Sequence, residues 1–357
     1  MGPNINIVLA GIGGYGSNYV RSLLRREKEG RIRMIALVDP GAENSPDYPL
    51  VADRPIYADL GECLTRNPAD LVILSSPIQY HAEQIMMALD HGAHVLCEKP
   101  LCATRQQGLE LIEAQKVSGR QVGIGYQWSY SLAIQQARND IRSGLYGDPV
   151  SLRTRVYWPR SQAYFSRNKW AGRLYADDGR PVFDSVLNNA TAHYLHNMLF
   201  FLGEGVYDAA IPERIEARLM RAYTIETFDT ALVCMEKDLP GGRTAKLAIA
   251  VSHCPENQLG PDLDYQYTEG RLLTRDGHMI GIRHIGDQSE VTVDYGPITS
   301  ADPVAEKVDA LIAAAEGDER MPCDVTTAFA QTAVVSAVHE QTEIETATKS
   351  CIRRSNR

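Results

Sequence analysis

Short apolar runs alternate with amphipathic stretches through the first third of the chain. Residues 5–10, 34–38, 71–75, 94–96 and 121–124 are near-continuous apolar segments of strand length, the pattern of strands buried on both faces of a sheet. Between several of them, 15–28, 82–91 and 105–118 place apolar residues at helical spacing. Strands that alternate with helices predict βαβ units, a parallel sheet and right-handed crossovers. No repeat of fixed period interrupts the pattern. After Gly125 the rhythm changes. A helix over 131–143, a strand over 150–157, a polar and aromatic loop over 158–181 and a helix over 189–202 come first. Segments 214–221, 230–236, 245–251 and 290–294 then alternate with a period of two, which predicts a mostly antiparallel sheet, and helices over 304–315 and 326–340 follow. The expected organisation is an α/β domain over 1–123 and an α+β domain over 124–357 with a large, mostly antiparallel sheet.

Composition narrows the partners. With 357 residues, 44% hydrophobic and 23% charged, the chain has the mix of a soluble globular protein long enough for two cores. A net charge of −9 argues against nucleic acid, which needs a basic face; the terminal pair Arg353-Arg354 reads as a frayed tail. Seven cysteines (Cys63, Cys97, Cys102, Cys234, Cys254, Cys323 and Cys351) are scattered and never spaced as CxxC, so neither a disulfide scaffold nor a zinc site is expected. The run at 5–10 is far short of the about 20 residues that a membrane span needs. No signal-peptide pattern precedes it, and a cytoplasmic location is expected.

The first chemistry-bearing motif is Gly11-Ile12-Gly13-Gly14-Tyr15-Gly16, a G-x-G-x-x-G turn directly after an apolar strand. Gly11 permits the tight turn, Gly13 lets backbone approach a pyrophosphate, and Gly16 lets helix and strand pack closely. The pyrophosphate sits on the helix N-terminus, where unpaired N–H groups and the dipole favour anions. Tyr15 lies inside the turn and is a candidate cofactor contact. Asp39 ends the next long strand, where a carboxylate accepts from the adenosine ribose and repels a 2′-phosphate, so NAD is expected over NADP. The first domain is thus expected to be a Rossmann domain.

Further on, Ser75-Ser76-Pro77, His81 and Gly92-Ala93-His94-Val95-Leu96-Cys97-Glu98-Lys99-Pro100-Leu101 go beyond a generic dinucleotide pattern. Together with the glycine turn and the helix ending Phe201-Leu202-Gly203, they resemble the glucose–fructose oxidoreductase and inositol dehydrogenase (Gfo/Idh/MocA) family. The resemblance implies a Glu-Lys-Pro turn after the fifth strand, with Ser76, His81, Glu98 and Lys99 bordering the cofactor. Lys99, at the carboxyl end of a parallel strand, is in place to hydrogen-bond a substrate hydroxyl and stabilise developing oxyanion character.

The resemblance also implies a second-domain helix with an Asp, a His four residues later and often an Asp three further on. Here the pattern reads Asn189, His193 and His196. The spacing predicts all three on one helical face, with His196 a candidate substrate contact. His193 matches the acid/base histidine, with an unperturbed pKa near neutrality. Asn189 orients a hydroxyl but cannot act as a base, so a charged partner is missing at that position. No carboxylate or Cys completes a metal site around His193 and His196, and no metal is expected.

Between these landmarks, Tyr157, Arg160, Tyr164, Arg167 and Trp170 crowd one loop, and Tyr126 follows the sixth strand. Aromatic faces that stack on sugars, with donors that grip hydroxyls, suit a carbohydrate-like substrate, and the arginines suit an anionic group on it. The expected activity is NAD-dependent hydride transfer at a hydroxyl carbon of a sugar, sugar acid or cyclitol. Two alternatives stay open: a glycosidase that oxidises, eliminates, hydrates and reduces with no net use of NAD, and a non-catalytic dinucleotide sensor. The resemblance implies a homodimer or homotetramer.

Overall fold

Uninterrupted apolar runs need cover on both faces, and they receive it in a parallel sheet. In the computed structural model, which describes residues 5–285, 289–317, 320–341 and 343–347, strands β1 (Ile5–Ala10), β2 (Ile32–Val38), β3 (Ile56–Tyr57), β4 (Leu71–Leu74), β5 (His94–Cys97) and β6 (Val122–Ile124) form it. Cys351 and Arg353-Arg354 lie outside the described residues. All neighbours in the order β3-β2-β1-β4-β5-β6 run parallel. Every residue of β4, and the last four of β1, is buried. The order reverses between β1 and β4, so a crevice opens beyond the carboxyl ends of those two strands, the place where such sheets bind ligands.

Period-two patterning has the opposite outcome. Strands β7 (Pro149–Tyr157), β8 (Arg214–Arg221), β9 (Thr230–Leu239), β10 (Arg243–Ser252), β11 (Leu259–Tyr267), β12 (Gly270–Arg275), β13 (His278–Ile285), β14 (Ser289–Pro297) and β15 (Ile344–Thr346) form a nine-stranded sheet, ordered β14-β13-β12-β11-β7-β10-β9-β8-β15. Only β7–β10 and β8–β15 pair in parallel. Along β7 and β9 buried and exposed residues alternate, so one face packs and the other is polar. Strands β11 to β13 and the two-residue β3 were not marked in the sequence. Gly260-Pro261 and Gly281 interrupt the alternation of the former, and the latter is too short to show a period.

The chain divides into two compact units, but not at a single boundary. One comprises residues up to Cys102, Gln106–Tyr130 and Ala301–Thr326; the other comprises Ala103–Arg105, Ser131–Ser300 and the residues from Thr327 on. The expected division into 1–123 and 124–357 is therefore corrected: 301–326 returns to the Rossmann unit. Its helix Pro303–Glu316 starts on Asp302, whose side chain accepts from the N–H of Ala305, and ends at Gly317 in the left-handed region. Two charged contacts fix it. Arg26, almost fully buried, donates to Asp309 at 2.8 Å and to the carbonyl of Ala305 at 2.9 Å, and Lys307 pairs with Glu98.

In the second unit a buried arginine closes the helix Ala192–Phe201. Arg138 donates to the carbonyls of Phe200 at 2.8 Å, Gly205 at 2.7 Å, Val206 and Asp208, and its guanidinium carbon lies 3.8 Å from the centre of the Phe200 ring. One side chain thus ties the last turn of the helix to three carbonyls of the loop that follows it. Arg138→Met removes it without removing bulk. Because each orphaned buried carbonyl costs about 1–3 kcal/mol, a loss of roughly 3 kcal/mol or more is expected. Calorimetry should then show Tm lower by roughly 6–12 °C; an unchanged Tm would show that the clamp contributes nothing.

Candidate active site

The carboxyl edge of the parallel sheet gathers nearly all the residues expected to hold a cofactor. The glycine turn leaves β1 and leads into helix Gly16–Lys28. Gly11 has φ +82°, and a Cβ there would lie 2.6 Å from the carbonyl oxygen of Ser75; one on Gly16 would lie 2.1 Å from that of Gly11. Both positions exclude a side chain. Gly13 and Gly14 differ: a Cβ on either would meet nothing within 4 Å, so this part of the turn borders open space that an incoming group can fill. Among the described residues no side chain caps the helix, and its first turn holds no acid. A helix N-terminus with no acid in its first turn and open space beside Gly13 and Gly14 favours an anion. These residues fit a dinucleotide pyrophosphate.

Asp39 follows β2 and is tied into the same turn. Its Oδ2 accepts from the N–H of Ile12 at 2.9 Å and its Oδ1 from that of Gly41 at 2.8 Å. Each carboxylate oxygen accepts more than one hydrogen bond, so the ribose-binding role remains open to it. The carboxylate therefore also shapes the loop it serves.

After β4, Ser76 bonds to Gln84, and after β5 the Glu98-Lys99-Pro100 turn has a cis bond between Lys99 and Pro100. Buried His81 joins the two loops, with Nδ1 2.7 Å from the carbonyl oxygen of Pro100 and Nε2 2.9 Å from that of Ser76. Burial pushes its imidazole below the ordinary range, against the pull of both carbonyls. Glu98 accepts from Tyr19 at 2.7 Å, from Lys307 and, at 3.3 Å, from the N–H of Lys99. Burial alone would raise its pKa, but the Lys307 charge and the bonds from Lys307 and Tyr19 outweigh it and hold the carboxyl below the usual glutamate value. A Cβ on Gly125 would come within 2.8 Å of Glu98 Oε1, so that glycine leaves room for the carboxylate. The Lys307 ammonium lies 5.0 Å from the ring centres of both Tyr15 and Tyr19, which links this network to the glycine turn. Lys307 was missed in the sequence, where a lysine inside an amphipathic helix looks like any solvated one.

Tyr126 was expected to meet substrate. It is fully buried, with Cys97, Cys102 and Cys323 around its hydroxyl, so a ligand would have to displace core packing to reach it.

In the second unit the expected helix over 189–202 is two elements. Val186–Ala190 is a π-helical turn, Thr191 leaves helical geometry, and Ala192–Phe201 is α-helical. The single face expected for Asn189, His193 and His196 is therefore broken, because the spacing rule holds only along one regular helix. His193 is half-buried. His196 is fully buried and stacks on Phe200 at 5.8 Å, and burial together with the Arg138 charge pushes its pKa to about 3. Its expected contact with substrate gives way to a core position.

Asn189 does have a charged partner, contrary to the sequence reading. Buried Asp184 accepts from Asn189 Nδ2 at 2.8 Å through Oδ1 and from the N–H of Gly172 at 2.6 Å through Oδ2. The signal was an Asp five residues upstream, a spacing that no helical rule marks. Tyr157 ends β7 in a buried position, while Arg160, Tyr164 and Trp170 are half-buried and Arg167 is exposed on the loop that follows.

The model of the oxidoreductase family with an NAD-binding Rossmann fold matches residues 5–126. An inositol 2-dehydrogenase of Burkholderia multivorans is 23% identical over 295 residues, 82% of this chain and 80% of its own. A 2,7-anhydro-N-acetylneuraminate hydratase of Mediterraneibacter gnavus is 27% identical over 176 residues, 48% of this chain and 46% of its own. In fold, the chain resembles the crystal structure of the WlbA dehydrogenase of Bordetella pertussis in complex with NADH and UDP-GlcNAcA. The TM-score is 0.75 at 20% identity, covering 95% of this chain and 96% of that one. Residues 5–126 match the NAD-binding Rossmann fold of the Gfo/Idh/MocA oxidoreductase family.

Proposed function

We propose that the chain is an NAD-dependent dehydrogenase that acts on a hydroxyl carbon of a sugar, sugar acid or cyclitol. The observation that carries this reading is the convergence, at one sheet edge, of an open glycine cradle, Asp39 and the Glu98-Lys99-Pro100 turn. Gly11, Gly13, Gly16 and Asp39 would hold the dinucleotide, bordered by Tyr15, Ser76 and His81. When bound, the nicotinamide supplies the acceptor for the hydride.

The chain's own residues do the rest. Lys99 donates from its ammonium to the reacting oxygen and stabilises the negative charge that grows there. A ring nitrogen of His193 takes the hydroxyl proton as general base. Asn189 orients that hydroxyl, with its own amide aligned by Asp184.

The second reading is a glycosidase that oxidises, eliminates, hydrates and reduces with no net use of NAD. Both are tested in the same wells. The purified protein is incubated with NAD and a panel of sugars, sugar acids, cyclitols and chromogenic glycosides. Reduced nicotinamide in step with substrate loss is expected. Aglycone release without it would move the assignment to the redox-cycling glycosidase, and no turnover despite tight NAD binding would make the chain a sensor.

A further inference from the structure

The loop after β7 is anchored rather than solvated. Trp158 and Arg160 donate their backbone N–H groups to the carbonyls of Ser252 and His253, at 2.9 and 3.0 Å. His253 Nδ1 returns to the carbonyl of Trp158 at 2.7 Å, and the Tyr223 hydroxyl donates to the carbonyl of Arg160. Phe165, from the short helix Gln162–Phe165, is buried in a cluster with Met220, Tyr223 and Cys254. An ordered loop held at both its backbone and its apolar anchor can present side chains in fixed positions.

It presents two guanidinium groups on one ring. The guanidinium carbon of Arg160 lies 4.8 Å from the centre of the Tyr164 ring and 4.5 Å from that of Trp158. That of Arg167 lies 3.7 Å from Tyr164 and 5.3 Å from Trp170. Like charges held this close repel, and the stacking of each on an aromatic face offsets the cost in part.

What distinguishes the pair is the lack of a carboxylate. Arg155 pairs with Asp262, Arg173 with Asp177 and Glu226, Arg214 with Glu236 and Asp238, Arg218 with Glu345 and Arg243 with Asp148. Among the described residues neither Arg160 nor Arg167 has an ion pair, and the Arg160 Nε is a buried donor with no partner. Arg167 donates to the carbonyl of Tyr164, at 2.6 Å. The nearby carboxylate, Asp184, accepts from Gly172 and Asn189 with its two oxygens. Facing the arginines, His253 is held neutral, its pKa pushed to about 4 by burial first and by the two positive charges as well. The cluster therefore carries two unneutralised positive charges beside aromatic faces.

We propose that Arg160 and Arg167, spread over Tyr164 and flanked by Trp158 and Trp170, form an anion-binding subsite for a carboxylate or phosphate carried by the substrate. The guanidinium forks grip the anionic oxygens while the aromatic faces stack on the body of the ligand. The inference rests on the reading of the chain as an enzyme of carbohydrate-type substrates, and it narrows that class to anionic members.

The test uses the full chain saturated with NAD and titrates it calorimetrically with D-glucuronate, D-glucose 6-phosphate and D-glucose at low ionic strength. The expected result is that one or both charged ligands bind at least tenfold tighter than glucose, with an advantage that shrinks as salt is added. Tighter binding by the carboxylate or by the phosphate identifies which anion the site takes. R160Q and R167Q should each remove most of that advantage and leave NAD affinity unchanged, whereas R155Q, on an ion-paired arginine, should leave it intact. Arg167 is exposed, so its variant stays folded even if R160Q does not.

Equal affinity for glucose and its charged counterparts, an anion advantage that survives R167Q undiminished, or no saturable binding of either anion would overturn the proposal. The outcome is separable from that of the dehydrogenase reading. Reduced cofactor formed from neutral sugars and indifferent to R167Q would sink the subsite alone. Arginine-dependent anion binding with no reduced cofactor from any ligand would sink the dehydrogenase alone.

Discussion

Lys99→Ala is expected to lower kcat by roughly 10²–10³, the typical cost of one donor to a developing oxyanion, while NAD remains bound. The turn around Lys99 has anchors besides its side chain. Glu98 is held by Tyr19 and Lys307, and Pro100 by His81, so the truncation leaves the dinucleotide edge in place. An interaction formed mainly in the transition state lowers kcat and kcat/KM together. Steady-state kinetics and an independent NAD titration of the variant decide the matter. Wild-type kcat would remove Lys99 from the chemistry, and a parallel loss of NAD affinity would make its role one of cofactor binding.

The second large effect is expected from Lys307→Met. Lys307 has no exposed surface and its ammonium meets Glu98, itself almost wholly buried. Burying a carboxylate without its counter-charge typically costs about 3–5 kcal/mol. The sign of the pH dependence follows. In the wild type the folded pKa of Glu98 lies below the unfolded value, so the pair contributes stability above about pH 4.3, and this is lost as pH falls through the folded pKa. In the variant the largest opposition to burial is gone and the Tyr19 bond and Lys99 charge remain, so the pKa rises and Glu98 destabilises the fold progressively as pH rises above the unfolded value. The stability gap between the two proteins should therefore be wide at neutral pH and narrow towards pH 4. Urea unfolding at several pH values measures it. A gap that does not change with pH would mean that the loss comes from packing and not from charge. Glu98→Gln in the variant background should recover part of it.

What the sequence made legible was whatever local periodicity or a short fixed motif dictates. Buried parallel strands read as unbroken apolar runs, and the glycine turn follows from sterics that the structure repeats at Gly11 and Gly16. The helix Arg105–Ser118 and the strand Arg214–Arg221 lie where their patterns end. Long-range partners were not legible. An amphipathic helix at 304–315 announces an apolar face but not the surface that covers it, so its return to the first unit and the Lys307–Glu98 pair stayed hidden. Arg138 reads as an ordinary helical arginine, because its partners are carbonyls more than sixty residues away. The candidate site shows the same limit. Asn189 and His193 follow helical spacing on paper, and the π-turn that holds Asn189 obeys no pattern in the side chains.

The three-part assembly of the first unit also governs how it can be made and exchanged. A ribosome that has released residue 130 has supplied all six strands of the parallel sheet, yet Arg26 and Glu98 still lack Asp309 and Lys307, which emerge almost two hundred residues later. During synthesis those two charges stay hydrated or the sheet stays loose, and the second unit is translated in the interval. Any attempt to transplant this dinucleotide module onto another substrate domain has to cut the chain after Tyr130, before Ala301 and after Thr326, and to carry the segment between the last two cuts with it.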